Sequence, residues 1–207
     1  MPFIDLAAKR RTVRQFAVDA LPLEQIETVL QAGLLAPSPN DSKPWKILVI
    51  TNRDLLQQMK KAVHERLEQL FPNVEPELQG RLQKVKTFSA IFADAPVVFA
   101  ILAKPYEAMI DELLIGTEIT HDQINAWRNY PDIQSVGAVV QNMLLAATEM
   151  AVGSVWVSGA LVASQALEAL LKTDEFRLQA LVAMGKPLTK PPSKPMPNLD
   201  DLVDFRE

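Results

Sequence analysis

Apolar residues recur every three or four positions along much of the chain, which is the spacing of one face of an α-helix. The clearest case is 53–71, where Asn52 is a predicted cap. Its apolar face comprises Leu55, Leu56, Met59, Val63 and Leu67. Similar spacing or apolar content predicts further helices over 3–10, 21–36, 75–93, 132–151 and 164–172.

Four short runs of β-branched and other apolar residues predict buried strands between these helices. They cover 45–50, 96–103, 153–159 and 178–185. Strands separated by helices predict an α/β or α+β sandwich in which helices cover a sheet. The segment 104–131 shows no clear period, and five prolines in the tail predict an extended arm.

The chain has 207 residues, a formal net charge of −4 and an apolar fraction of 48%. This length fits one domain, 1–207, with an ordinary core. Cysteine is absent, which excludes disulfides, thiol catalysis and cysteine-ligated metal sites. The acidic balance argues against broad nucleic-acid binding, and no apolar run reaches the length of a membrane span. Since the first residues lack a signal-peptide layout, the expectation is a cytoplasmic protein.

The stretch KRRTVRQF, residues 9–16, concentrates four cations near the start of this acidic chain. If the backbone is extended there, Arg10, Thr12 and Arg14 point the same way, because the strand period is two. Two guanidiniums and a hydroxyl form a natural grip on a phosphate. A solvated basic turn at the end of the first helix explains the same residues equally well.

The stretch APSPNDSKPW joins the second helix to the first strand. Its prolines stiffen the backbone, and Asn40, Asp41, Ser42 and Lys43 place polar groups beside the start of the strand. A rigid polar loop at the edge of a sheet suits recognition of a planar polar ring. Taken alone, the loop is better explained as a plain helix-to-strand connection with proline punctuation.

In this order and spacing, the chain resembles the FMN-dependent nitroreductase family over nearly its full length. The motifs that carry the resemblance are RRTVRQF, APSPNDSKPWKILVI, AVVQNMLLAATEMAVGSVWVSGAL and ALVAMGKP. The resemblance implies an α+β fold, a three-layer sandwich with a mixed central sheet flanked by helices. It also implies a homodimer that exchanges its C-terminal arms, 186–207, and holds two FMN molecules at the subunit interface.

The implied activity is hydride transfer in two half-reactions. NADH or NADPH reduces FMN and leaves, and a nitroaromatic, quinone or similar electron-poor acceptor then takes its place. Two alternatives stay open. One is a specialised flavoenzyme on the same fold, such as a dehalogenase, a ring oxidase or a flavin-fragmenting enzyme; the other is a non-catalytic flavin-binding dimer. The variable segment 104–134 is expected to border the substrate.

The resemblance assigns cofactor contacts residue by residue. Arg10 and Arg14 match cations that hold the FMN phosphate or the pyrimidine edge of the flavin, and Arg11 and Thr12 match adjoining contacts. Ser158 and Gly159 match a turn near flavin N5, where glycine permits close approach of the backbone. The remaining predicted contacts are Pro37, Ser38, Asn40, Asp41, Lys43 and Lys194, with Lys190 as the alternative to Lys194. No metal site is predicted.

Three positions depart from the pattern of the family. Asp41 and Lys43 stand where an Asn and a Gln are usual, and Met196 stands where an arginine is common. Asp41 can accept a hydrogen bond from flavin N3–H but cannot donate one. Its charge also opposes an electron-rich reduced ring unless Lys43 or an arginine offsets it.

The sequence names no catalytic residue, although the two histidines are candidate proton donors. His64 lies in a charged helical stretch and is expected to face solvent. His121 lies in the segment expected to border the substrate, close to Trp127 and Tyr130. Those two aromatic residues are expected either to line the substrate pocket or to belong to the core.

Overall fold

The computed structural model describes residues 1–206 and contains seven α-helices and four β-strands in that range. The helices are α1 (Phe3–Lys9), α2 (Leu23–Leu34), α3 (Arg53–Leu70), α4 (Pro76–Ser89), α5 (His121–Trp127), α6 (Pro131–Glu149) and α7 (Ser164–Leu171). The strands are β1 (Trp45–Ile50), β2 (Val97–Ala103), β3 (Gly153–Val157) and β4 (Arg177–Gly185).

Caps and prolines set most of the helix boundaries. Asn52 Oδ1 accepts a hydrogen bond of 3.1 Å from the Leu55 amide, so α3 begins where the sequence predicts. The helix predicted over 75–93 ends earlier, at Ser89, and a 3₁₀ turn at Ile91–Asp94 follows. Ala95 is extended because it precedes Pro96, and proline disfavours helical backbone at the residue before it.

The segment 104–131 holds structure that the apolar spacing did not predict. It contains a 3₁₀ turn at Met109–Leu114 and the short helix α5. A capping box begins α5: Thr120 Oγ1 accepts from the Gln123 amide at 3.2 Å, and Gln123 Oε1 accepts from the Thr120 amide at 2.8 Å. The Thr-x-x-Gln pattern is the local signal that marks this helix in the sequence.

The sheet has the strand order β1-β2-β4-β3, and all three pairings are antiparallel. The expectation of a mixed sheet is therefore wrong for these four strands. Two helices, α3 and α4, separate β1 from β2, and the chain re-enters the sheet at the same end at which β1 leaves it, since Ile50 pairs with Val98. The parallel contact is an isolated bridge between Thr12 and Ser154 at the free edge of β3.

Helices cover both faces of the sheet, which confirms the predicted α+β class with its three layers. All seven residues of β2 are buried, and alternate side chains point to opposite faces. Val98, Ala100 and Leu102 pack in one cluster with the apolar side chains of α3 and α7. Phe99 and Ile101 pack in a second cluster with those of α2 and α6.

Among residues 1–206, none of the helices combines the length and the apolar character needed to cross a bilayer.

Candidate functional site

A cleft at the β3 edge of the sheet, here called the Arg14 cleft, brings together four of the predicted cofactor residues. Thr12 and Arg14 line it from the N-terminal segment, and Ser158 and Gly159 line it from the turn after β3. The bridge between Thr12 and Ser154 holds the two segments side by side, and the Val13 amide donates to the Ser154 carbonyl at 2.9 Å. Residues almost 150 positions apart in sequence thus form one wall.

The Arg14 cleft has a cationic and aromatic lining. The Arg14 guanidinium carbon lies 5.6 Å from the centroid of the Phe88 ring, which is within the range of a cation–π contact. Lys84 and Trp156 also line the cleft, and both are exposed. Within residues 1–206, neither Arg10 nor Arg14 forms an ion pair. The positive charge of Arg14 is therefore available to bind an anion in this cleft.

Sequence reasoning missed Lys84, Phe88 and Trp156 as residues of this cleft. Lys84 and Phe88 lie one helical turn apart on α4, so the helix presents them on the same side. Trp156 is 45% exposed although it lies in a strand whose other residues are buried. The exposure of Trp156 is visible only in the structure, because the apolar run around it predicts a buried strand.

The turn at Gly159 is packed tightly against the end of α4. A Cβ added at Gly159 would lie 2.6 Å from Ser89 Oγ and 3.3 Å from Ser89 Cα. Glycine at this position was expected because it permits close approach to a flavin. Within this chain, the close contact with Ser89 is what requires a glycine at position 159. The missing side chain lets the turn pack closely on α4.

Arg10 and Arg11 differ from their neighbours in the same motif. Arg10 is the C-cap residue that follows α1 and is not among the residues that line the Arg14 cleft. The Arg11 guanidinium binds four backbone carbonyls: Ala8 at 2.6 Å, Arg10 at 2.7 Å, and two in the C-terminal arm. The arm carbonyls belong to Pro192 and Lys194, both at 3.2 Å. In this structure Arg11 fastens the arm to the end of α1.

The Lys194 side chain is exposed, and Lys190 lies in a separate groove between α1 and the arm. Neither lysine lines the Arg14 cleft within one chain. Their predicted contact with a phosphate stays a prediction.

The predicted ring-binding loop, Pro37–Lys43, has an unusual backbone. Asn40, Asp41 and Lys43 all have positive φ angles, between 45° and 52°. Ser38 holds this shape, because its carbonyl accepts from the Asp41 amide and its Oγ accepts from the Lys43 amide at 2.9 Å. Non-glycine residues in this conformation carry strain, and such strain is concentrated at functional sites.

Lys43 Nζ lies 2.6 Å from Asp41 Oδ2, so the two unusual charges of the loop form an ion pair. Lys43 therefore offsets the negative charge that Asp41 would otherwise present to a reduced flavin ring. Because the two charges are opposite, the loop as a whole presents little net charge. Both side chains are exposed, so the ion pair itself contributes little to stability.

The loop and the Arg14 cleft lie at opposite edges of the sheet. The loop leads into β1, whereas Thr12 and Ser158 adjoin β3, and β2 and β4 stand between them. Neighbouring strands are about 4.8 Å apart, so β1 and β3 are separated by roughly 14 Å. One chain therefore does not bring all the predicted cofactor residues into one site.

A second cleft, here called the Tyr106 cleft, adjoins the loop and has a volume of about 600 Å³. Asn40 Nδ2 donates to Tyr106 Oη at 2.7 Å, and the Lys104 amide donates to the Pro44 carbonyl at 2.9 Å. The cleft is lined by Ser42, Pro44, Lys104, Pro105, Tyr106, Glu107, Asp111, His121 and Glu175. Part of the segment 104–134 therefore borders a cleft, and the expectation that this segment borders the substrate stays a prediction.

Of the two histidines, only His121 lies in a cleft near a predicted site residue. Its Nδ1 lies 2.7 Å from Asp111 Oδ1. The Ala108 amide, followed by the His121 ring, holds the pKa of Asp111 below its usual range despite partial burial. His64 Nε2 instead lies 3.3 Å from the Lys86 carbonyl. The His64 side chain is partly buried there, whereas the sequence predicted that it faces solvent.

Comparisons with known proteins agree with this architecture. Residues 7–186 match the model of the Nitroreductase family. The chain is 24% identical over 148 residues to a putative NADH dehydrogenase/NAD(P)H nitroreductase of Archaeoglobus fulgidus; the match covers 72% of this chain and 62% of that relative. The chain thus spans about three-fifths of the length of that relative. It is also 27% identical over 198 residues to the iodotyrosine deiodinase of Thermotoga neapolitana, covering 92% and 91% of the two chains.

Solved structures share the fold over the whole chain. A BluB-like flavoprotein from Clostridium difficile superposes with a TM-score of 0.88 at 26% identity, covering 100% of both chains. An oxidised iodotyrosine deiodinase bound to FMN and 3-iodo-L-tyrosine superposes with a TM-score of 0.72 at 24% identity, covering 99% of this chain and 98% of that one. Because the family model spans residues 7–186 and the fold agrees throughout, this chain belongs to the nitroreductase family.

Proposed function

We propose that the protein is an FMN-dependent oxidoreductase that takes a hydride from NADH or NADPH and passes it to an electron-poor acceptor. The observation that carries the proposal is the Arg14 cleft, which gathers a cation without an ion-pair partner among residues 1–206, two hydroxyls and a tight glycine turn from distant parts of the chain. Membership of the nitroreductase family and the FMN bound to a solved relative support this choice of cofactor.

The chemistry of the donors fits FMN. Arg14 and Lys84 offer positive charge to a phosphate, and Thr12 and Ser158 offer hydroxyls to a polyol chain. Phe88 and Trp156 supply apolar surface beside them. Arg10 and Lys194 remain candidates for the phosphate from outside the cleft. When bound, the flavin supplies the hydride chemistry, and the protein supplies binding, orientation and electrostatics.

We further propose that the working form is a homodimer. The loop Pro37–Lys43 and the Arg14 cleft lie at opposite edges of one sheet, so a second copy would place its loop against the first copy's cleft. Large apolar side chains on three separate segments support this arrangement because they are left uncovered in one chain. Examples are Phe3 at 71%, Ile115 at 89% and Phe205 at 87% exposure.

The loop would then have two tasks in the bound state. Its polar groups would contact the ring of the flavin, and the Asp41–Lys43 pair would keep the loop close to neutral when the ring gains electrons. A cation near the pyrimidine edge, for which Arg10 and Arg14 are the candidates, would stabilise the negative charge of the reduced ring.

The experiment that tests the function is anaerobic mixing of the purified protein, loaded with FMN, with NADH and with NADPH. The expected result is a yellow protein that bleaches with at least one donor and recovers its colour on addition of a quinone or a nitroaromatic. A protein that binds FMN but bleaches with neither donor is a flavin carrier, and the proposal is then wrong.

A reductive dehalogenase is the second candidate function. It is favoured by the likeness to the deiodinase of Thermotoga neapolitana, which extends over 92% of this chain. Incubation of the reduced protein with 3-iodotyrosine separates the two candidates, since only a dehalogenase releases iodide. Permanent loss of the flavin spectrum in air would instead indicate an enzyme that fragments its own flavin.

A further inference from the structure

The Arg14 guanidinium meets an aromatic ring in a place where a carboxylate is the more usual partner. Its carbon atom lies 5.6 Å from the centroid of the Phe88 ring. Within residues 1–206 it forms no ion pair. A carboxylate would cancel the charge and occupy two N–H groups, whereas a ring attracts the cation and leaves its charge and its donors available. The contact with Phe88 therefore restrains Arg14 without neutralising it.

The backbone that carries Arg14 is fixed to the sheet on both sides. Thr12 pairs with Ser154 in the parallel bridge, and Phe16 pairs with Pro187 in an antiparallel bridge. Arg14 lies midway between these two anchors, but its side chain is exposed. A long exposed side chain samples many rotamers, and a bound anion would have to select one of them at an entropic cost.

The phenyl ring is carried by an equally well anchored part of α4. Ser89, the next residue, is buried and packs against the Gly159 turn. Two residues before Phe88, Lys86 Nζ donates to Glu68 Oε1 at 2.7 Å and so links α4 to α3. The end of the helix therefore presents the ring at a fixed place in the cleft.

Packing in the core does not explain this phenylalanine. The Phe88 side chain is 54% exposed and belongs to neither of the two clusters of buried side chains on the faces of the sheet. Lys84, one turn earlier on α4, lines the same cleft as Arg14, and the two positive charges repel each other. The attraction between the ring and the guanidinium opposes this repulsion and favours Arg14 inside the cleft.

We propose that Phe88 is a positioning residue, whose ring holds the Arg14 guanidinium in the cleft in readiness for the negatively charged group of FMN. This inference rests on the proposed function, because it takes FMN as the anion. A side chain that is already in its binding orientation loses less conformational entropy on binding, so the affinity is higher. Phe88 acts through Arg14, and its role requires an aromatic ring rather than any apolar side chain of similar size.

A double-mutant cycle of FMN affinity, measured by fluorescence titration of the flavin, tests this role. Phe88→Leu keeps an apolar side chain but removes the ring. It should raise the dissociation constant about 2-fold to 5-fold, which is the contribution of an exposed cation–π contact. Phe88→Tyr keeps the ring and should retain the affinity of the wild type. In an Arg14→Ala background, Phe88→Leu should have no further effect.

Phe71→Leu is the matched control for the loss of the ring. Phe71 is about as exposed as Phe88, but it lies at the end of α3 and outside the Arg14 cleft. The same change at position 71 should leave the affinity for FMN unaltered. Thermal unfolding of both leucine variants checks that neither has lost its fold.

Two results would overturn the positioning role and leave the proposed function intact. One is an equal loss of affinity on Phe88→Leu with and without Arg14, which would mean that the ring contacts the cofactor directly. The other is no loss in either background. If the wild type binds no FMN, or if Arg14→Ala binds it as tightly as the wild type, the cofactor site itself is wrongly assigned and this inference falls with it.

Proton NMR of the full chain before FMN is added gives a readout that does not depend on the cofactor. The ring current of Phe88 should displace the side-chain signals of Arg14 from the positions of an exposed arginine. Phe88→Leu should return them to those positions, and Phe71→Leu should not move them. Undisplaced Arg14 signals in the wild type would contradict the contact on which the proposal is built.

Discussion

Asn40 donates a hydrogen bond from Nδ2 to the Tyr106 hydroxyl across 2.7 Å and so joins two segments that are 66 residues apart. Asn40 has a left-handed backbone, with φ at 51°, and lies in the predicted flavin loop. Tyr106 is buried and opens the segment that lines the second cleft. The contact joins the loop that is predicted to bind the flavin ring to the segment that is predicted to border the substrate.

Tyr106→Phe should weaken this coupling. The Asn40 amide loses its acceptor, and a typical hydrogen bond of this kind contributes about 1 kcal/mol to stability. The free energy of unfolding should fall by that amount, and the amides of 37–43 should exchange faster with solvent. Tyr130→Phe is the control, because Tyr130 is the other tyrosine and is exposed. Equal effects of the two changes would argue against a specific role of the contact.

Arg14→Ala should weaken FMN binding. Charge-assisted hydrogen bonds contribute roughly 1.5–3 kcal/mol, which corresponds to about a 10-fold to 100-fold rise in the dissociation constant. Fluorescence titration of the flavin measures it directly. Lys9→Ala removes an exposed cation outside the Arg14 cleft and should change the constant little. Unaltered affinity in Arg14→Ala would remove this residue from the cofactor site.

Arg11→Lys should release the C-terminal arm. A lysine keeps the charge but cannot reproduce the planar fork that reaches the Ala8, Arg10, Pro192 and Lys194 carbonyls. Thermolysin, which cleaves before large apolar residues, should then cut the arm before Leu199 and Leu202 several-fold faster. Arg81→Lys, on the exposed side of α4, is the matched control. Identical cleavage rates would show that the arm is held by other contacts.

Gly159→Ala should destabilise the protein. The new methyl group meets Ser89 Oγ at 2.6 Å, and such overpacking typically costs about 1–3 kcal/mol. Ser89→Ala in the same protein should restore part of the loss, since Ser89 Cα and Cβ remain at 3.3 Å. Gly80→Ala is the control: no atom lies within 4 Å of the added Cβ in α4, so stability should rise by about 0.5–1 kcal/mol. Thermal or urea unfolding measures all three.

Asp111 should titrate below the ordinary aspartate pKa of about 3.9, because the Ala108 amide and His121 stabilise its charged form. A depressed pKa in the folded state adds stability that is fully present above the unfolded value and disappears as the pH falls through the folded value. Carbon NMR of the carboxyl group gives the midpoint. Relative to their intrinsic exchange rates, the amides of 108–121 should lose protection below that pH, and a midpoint at or above 3.9 would contradict the geometry described for the pair.

Much of the fold was predictable because its signals are local. Asn52 caps α3, apolar spacing marks its buried face, and runs of β-branched residues mark all four strands within one or two residues. The clustering of Thr12 and Arg14 with Ser158 and Gly159 was also expected, through the family resemblance rather than through spacing. The segment 104–131 escaped prediction because its helix α5 is only one to two turns long and has no extended apolar period.

Local sequence was enough to predict the helices, the strands, the α+β class and the cluster of cations near the N-terminus, since each depends on neighbours along the chain. The antiparallel sheet, the division of KRRTVRQF between a clamp at Arg11 and a cleft at Arg14, and the Asp111–His121 pair became visible only in the folded chain. Those features depend on contacts between residues far apart in sequence. Local periodicity carries no information about which distant segment a side chain will meet.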